Sequence, residues 1–273
     1  MKLTMQSTID TLFWLFVPIP RQSRFESVRL KLANFGFRYE CPLCQARLSS
    51  LHPLGKNFPV LVEKNVVGGR QRNARCPCCK ASDRERLIYL FLLYQTNLFS
   101  RPTKLLHVAP EKRLTKLIAK FSHLDYLTAD IDSSPSRVME QMDITDIHYP
   151  DASFDAILCN HVLEHVPEDK VAMSELYRVL RPGGWAILQV PISLTLDTTF
   201  EDLSISSPEE RERTYGQYNH VRLYGRDYIQ RLQSVGFIVN EFIWSKYPQY
   251  FGGSKNKYGL NPDEIIFFAV KQS

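Results

Sequence analysis

Five of the six cysteines in this 273-residue chain lie in its first third, as Cys41-Pro42-Leu43-Cys44 and Cys76-Pro77-Cys78-Cys79. Two sulfurs three positions apart can grip one metal when a tight turn points both inward, and two such turns complete a tetrahedral S4 shell. Structural Zn2+ prefers that shell. The ligand set is Cys41, Cys44, Cys76 and Cys79, with Cys78 a spare thiol or a replacement for Cys76 or Cys79. Rubredoxin-type iron would accept the same four sulfurs. A closed S4 shell leaves no coordination position for a substrate, so the metal is assigned a structural role. A disulfide framework fits poorly, because the fifth cysteine would be left over.

A second set of reactive groups is spread along the rest of the chain. Asp130-Ile131-Asp132, Asp143 and the polar knot Asn160, His161, Glu164 and His165 each follow a short apolar run. A carboxylate just past a buried strand can accept both hydroxyls of a ribose at once. His161-Val162-Leu163-Glu164-His165 also fits the H-x-x-E-H pattern of inverted zinc peptidases. That pattern needs a long helix, and here a strand ends just before His161 while Pro167 stops any helix after one turn. Further on, His220, Arg222 and Tyr224 alternate, so on an extended chain they point the same way. His220 is the candidate general base and Arg222 a candidate anion or hydroxyl clamp.

The elements that must hold these groups read as follows. Phe154–Cys159 is a strand buried on both faces, Glu168–Leu180 carries apolar residues at mostly helical spacing, and Arg181-Pro182-Gly183-Gly184 stops it. Trp185–Val190 is the next buried strand. Strand, helix, glycine turn and strand make a βαβ unit, so the sheet is parallel, with ligands beyond the carboxyl ends of its strands. Other expected strands are Lys104–Ala109, Leu124–Ala129, Val138–Met142, Phe237–Trp244 and Glu264–Val270, with a short helix from Asp227 to Gln233. Upstream, Ser82-Asp83-Arg84-Glu85 is a capping box opening a helix with an apolar stripe through Leu87, Leu90, Phe91, Tyr94 and Leu98. Between the cysteine pairs, Phe58–Val62 reads as a strand and Val67–Arg70 as a turn.

The stretch from Phe154 to Pro191 resembles the second half of the class I S-adenosylmethionine-dependent methyltransferases, nearly residue for residue over the fourth strand, its helix and the LRPGG turn. The resemblance covers roughly 104–273. It implies an α/β fold with a seven-stranded, mostly parallel Rossmann-like sheet of order 3-2-1-4-5-7-6, preceded here by a small four-cysteine zinc ribbon. It implies S-adenosyl-L-methionine as cofactor, with Asp130, or alternatively Asp132, on the ribose, Asp143 on the adenine amino group, and Asn160 and His161 facing the reaction centre. The chain departs from the family after the first strand: His107-Val108-Ala109-Pro110-Glu111 replaces the usual glycine-rich turn. Ala109 is the smallest side chain short of glycine, and Pro110 beside Glu111 suits a helix opening. His107, Ala109 and Glu111 therefore complete the expected cofactor contacts.

The expected organisation is an N-terminal helical segment (1–40), a zinc-ribbon-like module (41–82), a linking helix (83–103) and the methyltransferase-like domain (104–273), with 193–220 a lid-like insertion. Connections beyond ~12–15 residues tend to be lids or binding loops. Net charge is +5, but residues 1–104 hold 17 of the 34 basic side chains and only 6 of the 29 acidic ones. That third is basic enough to seek phosphates or an anionic membrane face. No apolar run reaches the ~18–20 residues that span a bilayer. Leu12–Pro20, with Phe13, Trp14 and Phe16 ahead of Arg21, Arg24, Arg29 and Lys31, is a helix packed on the main domain or an interfacial anchor. The expected setting is cytoplasmic, with peripheral membrane contact through 12–31 as the alternative. Three functions follow: a small-molecule or glycan methyltransferase with a structural zinc ribbon, an RNA methyltransferase gripping phosphates through that ribbon, or a non-catalytic scaffold.

Overall fold

The computed structural model describes residues 21–273, so the aromatic run at 12–20 lies outside the described residues. The first elements are α1 (Arg21–Ala33), β1 (Tyr39–Cys41), β2 (Ala46–Leu48), β3 (His52–Leu54), α2 (Pro59–Glu63), β4 (Val66–Val67), β5 (Arg72–Arg75) and α3 (Asp83–Gln95). There follow β6 (Thr103–Val108), α4 (Lys112–Ile118), β7 (Leu124–Asp130), β8 (Glu140–Gln141), β9 (Phe154–Asn160), α5 (Asp169–Val179) and β10 (Leu180–Gln189). The chain ends with β11 (Ile192–Ser193), β12 (Phe200–Glu201), α6 (Pro208–Tyr215), β13 (Arg222–Leu223), α7 (Tyr228–Ser234), β14 (Ile238–Ile243) and β15 (Ile265–Val270). Among the described residues no helix is long and apolar enough to cross a membrane.

The chain divides into two units. The larger comprises Gly55–Arg72, Arg101–Ile243 and Asp263–Ser273. Its seven-stranded sheet runs β14-β15-β10-β9-β6-β7-β8, which in order of appearance is 3-2-1-4-5-7-6, with β15 antiparallel to its neighbours as expected. The central strands are apolar on both faces because helices and loops must cover both sides of a parallel sheet. Leu106, Ile157 and Leu188 accordingly have no exposed surface. Helix α5 buries Ala172, Met173, Leu176 and Val179 in the same core, which is why its apolar residues recur at helical spacing.

The smaller unit comprises the residues up to Leu54, Asn73–Ser100 and Trp244–Pro262. Ser82 caps α3 with the full reciprocal box, its hydroxyl accepting from Glu85 N while the Glu85 carboxylate accepts from Ser82 N. Arg86 staples the last two of these stretches. Fully buried, it donates to the carbonyls of Ala74, Ala81, Tyr258 and Gly259 at 2.7–3.1 Å, which satisfies a guanidinium that would otherwise be very costly to bury.

Two expectations are corrected. Phe58–Val62 is not a ribbon strand: Pro59 opens the short helix α2, and its Leu61 packs against Gly216 at the end of α6. The expected turn at Val67–Arg70 is present at Gly68–Gly69, leading out of β4, which pairs antiparallel with β11; the ribbon module expected over 41–82 is instead interrupted. Residues 55–72 lie between the cysteine pairs in sequence but belong to the larger unit, where they buttress the 192–224 segment. Arg222 in that segment and Arg231 on α7 share the carboxylates of Asp169 and Glu201.

Candidate active site and metal centre

The two cysteine turns are built alike. Gln45 N donates to Cys41 O at 2.7 Å and Lys80 N to Cys76 O at 2.9 Å, and both Gln45 (φ 58°) and Lys80 (φ 68°) adopt the left-handed conformation that curls each turn back on itself. Each turn thereby aims two sulfurs inward, and the ligand atoms of Cys41, Cys44, Cys76 and Cys79 all lie within 4.8 Å of one another. Zn–S bonds of ~2.3 Å in a tetrahedron set the sulfurs about 3.8 Å apart. The Cys41–Cys79 and Cys44–Cys76 separations are 3.6 and 3.8 Å. The residues fit a single tetrahedral ion. Cys78 stands outside that set, and burial, reinforced by Cys76 and Cys79, pushes its thiol up to about 11.

In the larger unit, Val108 at the end of β6 pairs with Ala129 on one side and Cys159 on the other. The next residues, Ala109, Asp130 and Asn160, therefore stand level at the carboxyl edge of three adjacent strands. Ala109 turns with φ 47°, the left-handed conformation a glycine would take most cheaply. Asp130 accepts a bond from Asp132 N at 3.2 Å, and its carbonyl from Met142 N, which holds the β8 tip beside it. Asn160 is buried, and both polar atoms of its amide lack a hydrogen-bond partner among the described residues. An orphaned amide costs free energy unless a ligand completes it. Its place suits a cofactor of nucleoside type, as does the acceptor chemistry of the Asp130 carboxylate.

The other expected residues fall differently. His107 has no exposed surface and both ring nitrogens are engaged, with Tyr126 Oη and Glu111 Oε2 each at 2.8 Å. It braces Glu111 at the N-cap of α4 rather than reaching a ligand itself. Pro110 precedes that cap instead of occupying the first helical position. Asp132 is exposed and bonded to Ser134, whose backbone and hydroxyl bonds hold its carboxyl below the ordinary range. Asp143 commits Oδ1 to Thr145 N and Oγ1, both at 2.8 Å.

Arg222, the expected clamp, spends its donors within the protein. It donates to the carbonyls of Leu163, Val166 and Pro167 and pairs with Glu201 at 2.9 Å, so its donors secure the loop after β9. His220 is buried edge-on against His165, with ring centroids 4.8 Å apart. Burial, then the His165 and Lys56 charges, lower its pKa to about 3, which makes it a weak proton acceptor. His161 adopts φ 55° at the tip of β9, and its Nδ1 lies 3.3 Å from Glu164 Oε1. Gly68 lies against that ring: a Cβ there would stand 3.1 Å from His161 Cε1. No sequence signal paired Gly68 with His161, because 93 positions separate them and only the β4–β11 pairing brings them together.

Comparison with known proteins bears on the same region. Residues 106–188 match a family described as methyltransferase domain. An uncharacterized 37.1 kDa protein in transposon TN4556 of Streptomyces fradiae is 30% identical over 134 residues, 48% of this chain and 38% of that protein. The match thus spans well under half of that relative. Among solved structures, the [4+2]-cyclase SpnF shares the fold with a TM-score of 0.50 at 16% identity, over 94% of this chain and 98% of that one. An S-adenosylmethionine-dependent methyltransferase from Mesorhizobium loti gives a TM-score of 0.44 at 12% identity, over 69% of this chain and 98% of that one.

Proposed function

We propose, from the premise that this chain carries a class I methyltransferase domain, that it catalyses S-adenosylmethionine-dependent methyl transfer to a small-molecule or glycan acceptor. The observation that carries the reading is the level row of Ala109, Asp130 and Asn160, with a buried amide awaiting partners. Asp130 would accept the two ribose hydroxyls, and Asp143, with Oδ2 outside its Thr145 bonds, would accept the adenine amino group. Asn160 would donate and accept at the methionyl end. When bound, the cofactor supplies an electrophilic sulfonium methyl. The protein's remaining work is to place an acceptor in line, exclude water and take a proton.

For the proton, His161 is the better candidate. Glu164 Oε1 lies 3.3 Å from its Nδ1, and its Nε2 faces Gly68. His220, being a weak acceptor, is assigned no proton transfer. The 192–224 segment, tied down by the Arg222 and Arg231 network, would shield the reacting atoms. The cysteine centre has the closed donor set of a structural zinc site and is given no part in the chemistry.

Calorimetric titration with S-adenosylmethionine tests the reading. Binding is expected, and Asp130→Ala should weaken it about 10- to 100-fold, the effect of losing one or two charge-assisted hydrogen bonds. No binding, or full affinity in the variant, overturns it. The SpnF likeness makes the test necessary, because that protein is a cyclase and fold by itself does not specify chemistry. A second reading, RNA as acceptor, is favoured by the basic first third of the chain. Steeply salt-dependent RNA retention in filter binding would promote it.

A further inference from the structure

We propose that Glu164, His165 and His220 form a second metal site, separate from the four cysteines, that takes a divalent transition-metal ion through two imidazoles and one carboxylate. The proposal goes beyond methyl transfer and does not rest on it.

One ligand atom from each of the three residues lies within 4.8 Å of the other two. The Nε2 atoms of His165 and His220 are each 4.0 Å from the same oxygen, Glu164 Oε1. Metal bonds of ~2.1 Å in tetrahedral geometry space N and O ligands by about 3.4 Å, so a closure of roughly half an ångström would seat an ion. Ordinary side-chain rotation supplies that much.

The hydrogen-bonding of His165 points the same way. Its Nδ1 lies 3.1 Å from Asn219 O, and a carbonyl can only accept, so Nδ1 carries the hydrogen. In the neutral ring Nε2 then presents a lone pair toward a carboxylate oxygen. A lone pair and a carboxylate oxygen 4.0 Å apart are a spacing that one cation can bridge, and an outer carbonyl fixing the tautomer is the usual support of a metal-bound histidine. The surroundings are rigid. Arg222 holds the carbonyls of Leu163, Val166 and Pro167, and Val221 N donates to Glu164 O at 2.9 Å.

Glu164 and His220 are nearly fully buried, while the His165 side chain keeps 28% of its surface exposed and leaves a route for entry. A carboxylate has about four lone-pair positions, enough to serve an ion and His161 Nδ1 together. An N2O donor set favours zinc, iron or nickel over magnesium and calcium. Three protein ligands leave at least one position for an oxygen donor, as in catalytic rather than closed sites. The H-x-x-E-H pattern thus contributes only its Glu-His half, and its expected partner is replaced by a histidine 55 positions downstream of His165.

The test is metal counting on the full-length protein. After equilibrium dialysis against cobalt(II), plasma emission spectrometry should find two ions per wild-type chain. One should show intense thiolate charge-transfer absorption and the other only weak d–d bands. His165→Ala and His220→Ala should each retain the thiolate ion and lose the second. A wild-type chain that takes one ion, or a His165→Ala/His220→Ala chain that still takes two, overturns the proposal. If His220→Ala fails to fold, the more exposed His165→Ala decides alone. Parallel titration with S-adenosylmethionine reads the cofactor site separately, so failure of one assignment leaves the other standing.

Discussion

The four-cysteine centre and the strand-tip site are built to opposite rules. In the first, the ligands come from two local turns that repeat the same backbone bond and the same left-handed residue, at Gln45 and Lys80. In the second, each group comes from a different strand or loop, and the groups align only because Val108 fixes the register of its two neighbours. One site is carried by sequence spacing. The other is carried by the sheet, which makes it dependent on remote supports.

That contrast can be tested, beginning with the largest effect. For the zinc-loaded chain, a chelator, or Cys44→Ser, should abolish cooperative unfolding of the smaller unit, since structural zinc contributes on the order of 10 kcal/mol to such folds. Two-transition calorimetry that leaves the larger unit's transition in place would support independent rules. Loss of both transitions would break the comparison.

Next, Arg222→Met should cost about 3–5 kcal/mol, because Asp169 and Glu201 lose a partner and three loop carbonyls lose their donor. Denaturant unfolding measures it. An effect confined to turnover, with stability unchanged, would restore Arg222 as a substrate clamp.

A smaller effect concerns pH. Burial alone would raise the Glu201 carboxyl, but hydrogen bonds from Arg231 and Arg222 outweigh it and hold the pKa below the ordinary value. A depressed carboxylate stabilises the fold above its unfolded pKa and loses that contribution as pH falls through the folded one. The melting temperature should therefore drop on acidification below the usual carboxylate range, and Glu201→Gln should flatten that slope. An identical slope in the variant would show that the Arg222–Glu201–Arg231 network is not the acid-sensitive element.

The smallest effect is at the strand tip. Ala109→Gly relieves a left-handed alanine worth about 1–2 kcal/mol of strain, against about 0.5–1 kcal/mol of added unfolded-state entropy. A melting temperature unchanged or slightly raised is expected, with cofactor affinity retained. A marked loss of affinity would mean that the methyl group itself is a contact.

Much of this was legible beforehand. The cysteine pairs, the capping box at Ser82, the sheet strands and their order, and the carboxylates at the strand ends follow from local pattern together with the family likeness. What misled was also local. Phe58–Val62 has strand composition, yet Pro59 and the packing of Leu61 on Gly216 make it a helix. His107 and Arg222 carry groups suited to ligands, yet neighbours distant in sequence consume them: Tyr126 for the first, the 163–167 carbonyls and Glu201 for the second.

The chain's own residue order determined the four-cysteine cluster, the βαβ core and the presence of acidic strand ends, because turns, periodicity and caps act over a few residues. Only the folded structure decided which polar groups remain available and which are spent as braces, and it alone brought Gly68 to His161 and His220 to Glu164. The reason is physical: hydrogen-bond capacity is finite, and where it is used depends on partners that sequence distance conceals.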